Sequence, residues 1–189
     1  METKNEFFSS ALKTGLIIGV VSIFVWLIMY IADIKPVGIM IPMLTGLGMI
    51  AISIVILVIL FKKYKASIGG FISFKDAFLY CFIALSVSVV LSTLITYLFI
   101  TLVEPDYYKN VMEAQKTWME NYLAGKMSEE QLAEALDKFD VQAAEMGSVK
   151  ATLKQMLYSL IGSGVIALIV GAIMKKKPEM FDNASGGVI

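Results

Sequence analysis

The side chains that most often carry acid–base, redox or metal chemistry are almost missing from this chain. Its 189 residues include no His and a single Cys, Cys81. A His general base, a His-ligated metal and a disulfide framework are therefore excluded. Because Cys81 has no His to activate it, we interpret it as a small apolar residue of a helix interior.

Four carboxylates cluster on one predicted helix, and two of them, Glu130 and Glu134, share a face beside Glu129 and Asp137. A pair at this spacing holds a divalent cation weakly, because cation sites need more converging oxygens. We interpret the cluster as a solvated acidic face. The sequence contains no phosphate-binding loop, nucleophile elbow or zinc-binding motif. We therefore expect no catalysis, no cofactor and no metal.

Small and hydroxylated residues recur every fourth position inside three long apolar segments. In chain order these stripes are Gly15 and Gly19; Ala84, Ser88, Ser92 and Thr96; and Ser159, Ser163, Ala167 and Gly171. Such stripes let helix backbones approach closely and let hydroxyls bond across the contact. We predict that the second and third stripes bring their two helices together. The alternative is an ion or substrate path lined by the Ser and Thr hydroxyls.

The elements that must position these residues are four segments without any charged residue: 14–32, 36–61, 77–103 and 155–174. They total 92 residues, and all 32 charges lie in the other 97. A bilayer core of ~30 Å needs about 20 apolar helical residues. We predict an all-α membrane protein, one domain over 1–189, with transmembrane helices at about 12–33, 38–61, 77–103 and 154–174.

The predicted spans contain no ionisable side chain. Ion-coupled transporters, proton relays and voltage sensors place such side chains inside the membrane, so the sequence gives these classes no support. Intramembrane proteolysis by a Ser–His or paired-Asp mechanism lacks its partners there as well.

The acidic segment between the third and fourth spans predicts a helical hairpin at about 105–146. Its first helix gathers Tyr108, Trp118 and Tyr122 near one face, and a Ser128–Gln131 capping box starts the second. We predict that this aromatic face packs against the Leu and Phe face of the second helix. The alternative is a face that binds a ligand.

Lysine placement predicts the orientation. The loop 62–76 has four Lys against one Asp, the tail 175–189 opens with three Lys, and the N-terminus adds Lys4 and Lys13. By the positive-inside rule, both termini and this loop are cytoplasmic and the hairpin lies outside an inner membrane. The balanced charge of 16 Lys against 16 acids indicates no nucleic-acid partner.

The second half of the cytoplasmic loop combines Gly69 and Gly70 with Phe71 and Ser73. We interpret it as a segment at the lipid interface, with aromatic rings among headgroups and lysines over anionic lipid. The alternative is a docking site for a cytosolic protein. The expected partners are thus membrane lipids, with a protein partner or a second copy of the chain.

Several motifs occur in a recognisable order. They are Ala11–Gly19, the loop sequence Gly69–Phe78, the Glu104-Pro105-Asp106-Tyr107 start of the hairpin, the Met127–Gln131 cap, and a Gly-rich last span followed by three Lys. In these the chain resembles the DUF4199 family of bacterial four-span membrane proteins of unknown function, over nearly its full length. The resemblance implies an integral inner-membrane protein and transfers no catalytic or ligand-binding residue.

These observations favour a structural, interaction or accessory membrane subunit. A small transporter or channel with a hydroxyl-lined path between the third and fourth spans is the first alternative. A membrane sensor that binds a ligand or partner at the external hairpin is the second, although about 15 cytoplasmic residues are too few for a folded output domain.

Overall fold

The computed structural model describes residues 2–175, with side chains from residue 5 onward, and within this range the chain forms six helices and no strand. The predicted tail 175–189 lies outside the described residues except for Lys175. The six helices are α1 (Glu2–Ile31), α2 (Met40–Ser67), α3 (Phe74–Leu102), α4 (Tyr107–Leu123), α5 (Glu129–Glu145) and α6 (Val149–Met174). Four of them, α1, α2, α3 and α6, are long and apolar enough to cross a membrane, as predicted.

The helix ends follow local chemistry. Pro42 lies in the first turn of α2, where its missing N–H costs little. Ser73 and Ser148 cap α3 and α6 by accepting the backbone N–H of Asp76 and Ala151. Helix α1 begins ten residues before the span expected from 12 onward, because the polar residues that precede Lys13 continue the same helix without a Pro or Gly.

Helix α3 is the centre of the membrane-spanning part. It packs on α1 along one side and on α6 along another, whereas α2 contacts mainly α1. The arrangement is an open, side-by-side group of four helices rather than a closed bundle. Large apolar side chains on α2 and α6 consequently face outward, as the lipid-facing surface of a membrane protein requires.

Two glycines set the closest approaches to α3. A Cβ atom at Gly15 would collide with the carbonyl oxygen of Ala84, and one at Gly171 would lie 2.9 Å from the backbone nitrogen of Phe78. Both neighbours are backbone atoms that have no rotamer with which to move aside. Glycine is therefore what allows α1 and α6 to pack this tightly against α3.

The buried core is concentrated in one half of the spans. We call the end with the α2–α3 connection the loop end and the opposite end, which carries α4 and α5, the hairpin end. The buried residues of the loop half include Ala11, Ile18, Leu57, Phe61, Ala77, Tyr80, Cys81, Ala84, Ala167 and Val170. In the hairpin half α2 separates from its neighbours, and an apolar crevice opens beside it.

Candidate functional site

Helix α4 is fastened to the short turn between α1 and α2. The backbone N–H of Gly38 donates to the side-chain oxygen of Gln115 at 2.7 Å. Gly38 has a φ of +79°, and the indole of Trp118 would lie 3.1 Å from a Cβ at this position. A residue without a side chain therefore serves both the left-handed backbone and the close aromatic contact.

An aromatic cluster joins the same end of α1 to the start of α4. Trp26 stacks on Tyr30 with ring centroids 5.8 Å apart, and both rings meet Phe99 and Tyr107 edge-on or tilted. The hydroxyl of Tyr30 donates to Glu104 Oε2 at 2.9 Å. Burial raises the pKa of Tyr107, with smaller contributions from Tyr108, Tyr30 and Asp33, so its phenol is neutral over the physiological range.

Helix α5 packs against α4. Lys116 Nζ donates to Asp140 Oδ2 at 2.6 Å across the hairpin. This hydrogen bond raises the pKa of Lys116, while partial desolvation acts in the opposite direction. The predicted capping box is confirmed, since Ser128 accepts from the Gln131 backbone and the Gln131 side chain accepts from Ser128 N–H. Of the 17 residues of α5, none is buried.

The aromatic face of α4 differs from its prediction in one respect. Helices α4 and α5 do contact each other, but Trp118 lies over Gly38 and Tyr108 against Gly147. Tyr107 belongs to the cluster with Trp26 and Tyr30. The rings thus pack the hairpin against the spans. The turns at Gly38 and Gly147 have no side chain to keep a ring away, whereas α5 contains no glycine.

The acidic residues of α5 lie on the protein surface. Glu129, Glu130, Glu134 and Asp137 are exposed, and Glu134 pairs with Lys138 one turn later at 2.6 Å. Within the part of the chain that the structure describes, no group of three or more Cys, Asp or Glu residues converges on a possible metal position. The cluster has the geometry of a solvated helix face.

The packing stripes lie at the helix contacts. Ala84 and Ser88 are buried, and Gly15 and Gly19 of α1 approach them, with a Cβ at Gly19 falling 3.4 Å from Ser88 Cα. On α6 the buried members are Ser163, Ala167 and Gly171. Ala84 and Ser88 of the α3 stripe therefore lie beside α1, whereas Gly171 of the α6 stripe lies against Ala77 and Phe78 of α3.

Two hydroxyls of these stripes bond within their own helices. Ser92 donates to the carbonyl of Ser88 at 2.8 Å, and Ser163 donates to the carbonyl of Ser159 at 2.8 Å. Thr96 and Ser159 are half-buried. Donation to the carbonyl four residues earlier satisfies a hydroxyl in an apolar setting, which leaves little polarity for a conducting path.

The loop motif forms the turn into α3. Gly69 and Gly70 have φ values of +87° and +82°, which explains the glycine pair. Ile72 is buried, Ser73 caps α3, and Phe71 is 42% exposed. One apolar side chain of the motif therefore anchors the loop while another projects from the loop end.

Sequence reasoning missed Tyr80, which organises the loop-half core. Its ring is fully buried, stacks on Phe61 and Tyr64, and its hydroxyl lies 2.7 Å from Thr14 Oγ1 and 3.0 Å from Ser10 Oγ. Its position inside a charge-free segment was a usable signal in the sequence, because a Tyr hydroxyl in the membrane needs a hydrogen-bond partner. The identity of the partners, 66 and 70 residues away, had no local signature.

Lysine 65 was assigned only to the basic loop. Its ammonium group donates to the carbonyl oxygen of Met174 at 2.7 Å, at the C-terminal end of α6. A cation at this position satisfies an unpaired carbonyl and complements the helix dipole. The contact connects α2 to α6 across the loop end.

Comparisons with known proteins give one match. A family model described as "Protein of unknown function (DUF4199)" matches residues 13–176. No curated protein and no solved structure matches the chain significantly. The matched region includes most of the first candidate span, all of the other three, and both helices of the hairpin.

Proposed function

Because the chain belongs to the DUF4199 family, a family without a described activity, we propose a role from its own geometry: an interaction or accessory subunit that displays a helical hairpin above the bilayer. The chain is a multi-pass membrane protein. Its function in this proposal is to hold α5 in a fixed orientation for a protein partner or a second copy of the chain, without catalysing a reaction.

The observation that carries the proposal is the double attachment of α4. Gln115 and Trp118 fasten it to Gly38 at one point, and the Tyr107 ring joins Trp26 and Tyr30 at another. Two attachments along one helix restrict both its tilt and its rotation. Helix α5, with no buried residue, is then left as the presented surface.

The hydroxyl-bearing stripes support this role over transport. Ser88 and Ser163 are buried at helix contacts, and Ser92 and Ser163 donate to their own helices. A path for ions would require such hydroxyls to converge on a shared polar opening. Their bonding pattern instead suits static packing of α3 against its neighbours.

We propose a bacterial inner membrane as the location, with both termini cytoplasmic and the hairpin outside. The support is the Lys excess of 62–76 against the acidic excess of the hairpin. Single-cysteine variants Lys63→Cys and Lys138→Cys in a Cys81→Ala background test it. An impermeant maleimide should label position 138 in intact cells and position 63 only after lysis, and the reverse pattern would overturn the orientation.

Charge reversal on α5 tests the interaction role. We expect Glu130→Lys with Asp137→Lys to convert a larger native-membrane assembly to the size of the single chain, because both side chains project from the presented face. The control is Glu113→Lys with Glu120→Lys on α4, which changes the charge equally. An assembly unchanged by the α5 pair, or an isolated chain from the outset, would contradict the proposal.

A further inference from the structure

An apolar crevice of about 290 Å³ lies between α1 and α2 in the hairpin half of the spans. We propose that it holds one acyl chain of a phospholipid from the leaflet at the hairpin end. This inference goes beyond the proposed interaction role and does not depend on it. Its walls are α1 from Trp26, α2 from Pro42 to Met49, and the ring of Tyr107.

The crevice lies beside the half of α2 that contributes no buried residue to the core. Leu57 and Phe61 bury its loop half against the core, and Tyr64 stacks on Tyr80. Its hairpin half supplies Pro42 and Gly46, and a Cβ at Gly46 would meet no atom of the described chain within 4 Å. The missing side chain at Gly46 leaves space where a larger residue would fill the gap between the helices.

The wall on the α1 side is rigid without a ligand. Trp26 and Tyr30 stack at an interplanar angle of 19°, and the Tyr30 hydroxyl is fixed by Glu104. The lining also includes two flexible, apolar side chains, Met29 of α1 and Met49 of α2. Stacked aromatic rings together with adaptable thioethers suit a slender, flexible chain.

The size and position of the crevice select the ligand class. Pockets for small molecules begin at roughly 300 Å³, so this volume suits one hydrocarbon chain better than a multi-ring ligand. Both flanking helices are candidate spans, so the crevice lies at the hairpin end of the membrane-spanning part of the molecule. Acyl chains are the molecules that the bilayer presents there at the highest concentration.

The rim carries charges that match a zwitterionic headgroup. Ile34 and Pro36 line the crevice and flank Lys35, whose ammonium lies 3.2 Å from Asp33 Oδ1. In the proposed complex the lipid phosphate approaches Lys35 and the headgroup amine approaches Asp33. The first turn of α2 adds no acidic residue within the described chain to repel the phosphate.

Trp26 makes the proposal measurable. The chain has two Trp residues, so Trp118→Phe leaves Trp26, a crevice residue, as the sole indole. Phosphatidylethanolamine with one brominated acyl chain is titrated into the purified protein in detergent micelles. We expect Trp26 fluorescence to be quenched in a saturable manner at a low mole fraction of lipid.

Two glycines of α2 provide a matched pair. Gly46→Leu fills the crevice, whereas Gly48→Leu adds the same side chain on the same helix, at a position outside the lining and with open space around it. We expect Gly46→Leu to raise the half-saturating lipid fraction about tenfold or more, equivalent to about two buried methylene groups. Gly48→Leu should match the parent.

Three results would overturn the proposal. They are quenching that rises linearly without saturation in the parent, equal half-saturation in the two leucine variants, and a brominated free fatty acid that competes as well as the phospholipid. The last result would reject the phospholipid headgroup as part of the ligand. Lys35→Gln should weaken the binding of the phospholipid more than the binding of the fatty acid. Circular dichroism of each variant checks that the variant is folded.

Discussion

The hydroxyl oxygen of Tyr80 lies 2.7 Å from Oγ1 of Thr14, and this contact joins α3 to α1 in the middle of the loop-half core. Thr14 is 3% exposed, so water does not replace the bond. The ring of Tyr80 also stacks on Phe61 of α2. One side chain therefore connects three of the four spans, and it does so at the end of the molecule opposite the hairpin.

We expect Tyr80→Phe to destabilise the protein by about 1 kcal/mol, since interhelical hydrogen bonds in membranes contribute roughly 0.6–1.7 kcal/mol. The stacked ring remains, so only the hydroxyl is tested. Cys81 is buried and free, and its labelling by a thiol-reactive dye on heating reports unfolding in detergent. The melting temperature should fall by about 2–4 °C.

Tyr158→Phe is the control for this measurement, because Tyr158 is 59% exposed on α6. Its melting temperature should equal that of the parent. If both Phe variants behaved alike, the hydroxyl of Tyr80 would have no special role in the core.

Replacing glycine by alanine should destabilise the protein where the glycine lies against α3 and should not do so where it faces open space. Gly15→Ala places a Cβ against the Ala84 carbonyl oxygen, and such overpacking costs about 1–3 kcal/mol. Gly19→Ala should cost less, because its nearest neighbour is the flexible end of Leu91, at 2.9 Å. The Cys81 labelling assay ranks these variants.

Gly162→Ala supplies the matched control on α6, where a Cβ would meet no atom of the described chain within 4 Å. Helix propensity alone should then stabilise the protein by up to about 1 kcal/mol. A loss of stability at Gly162 as large as that at Gly15 would show that glycine is required there for a contact outside this chain.

Removing the acceptor at Gln115 should release the α1–α2 turn. We expect Gln115→Ala to speed hydrogen exchange of the Gly38 amide at least about fivefold, since loss of one such bond is worth about 1 kcal/mol. Gln142→Ala on the exposed side of α5 is the control and should leave that amide unchanged. Equal exchange in both variants would mean that α4 is held without this bond.

The pH response of the hairpin follows from Lys116. Its folded pKa is raised above 10.5 by the hydrogen bond to Asp140. The stabilising contribution of a group with a raised pKa is complete below the unfolded value and is lost as pH rises through the folded value. We therefore expect the α4–α5 contact to be insensitive to pH near neutrality and to loosen above about pH 10.5.

A nitroxide spin label on α5 measures this loosening. Its mobility should increase above about pH 10.5 in the parent, with the unfolded reference value of Lys setting the onset. In Asp140→Asn the label should be more mobile throughout and should lose the alkaline transition. The same transition in both proteins would assign the effect to other groups.

The sequence predicted the features that local chemistry determines. Charge-free segments identified the four spans, and the Ser128–Gln131 spacing identified a cap that the structure reproduces. These signals depend on neighbours along the chain and on the energy of burying charge in lipid. The position of Trp118 on Gly38 depended on how a turn and a distant helix meet, and no local pattern encoded it.

The crevice between α1 and α2 could not be predicted from such local signals. The crevice arises from the divergence of α2 from α1, which depends on packing at the opposite end through Leu57 and Phe61. No pattern in the sequence distinguishes Gly46 from the other glycines of the spans, and it gains a role because it lines the crevice together with Trp26. Tertiary geometry, rather than residue type, made these positions significant.

Photo-crosslinking in native membranes tests most directly whether α5 is the presented surface. A photoreactive residue at Val141 on α5 is compared with one at Ile173 on α6, since the two side chains are 72% and 75% exposed. We predict a discrete protein adduct from position 141 and lipid adducts alone from position 173. A protein adduct from position 173 with none from position 141 would contradict the account, because the partner would then bind through the membrane-facing helices.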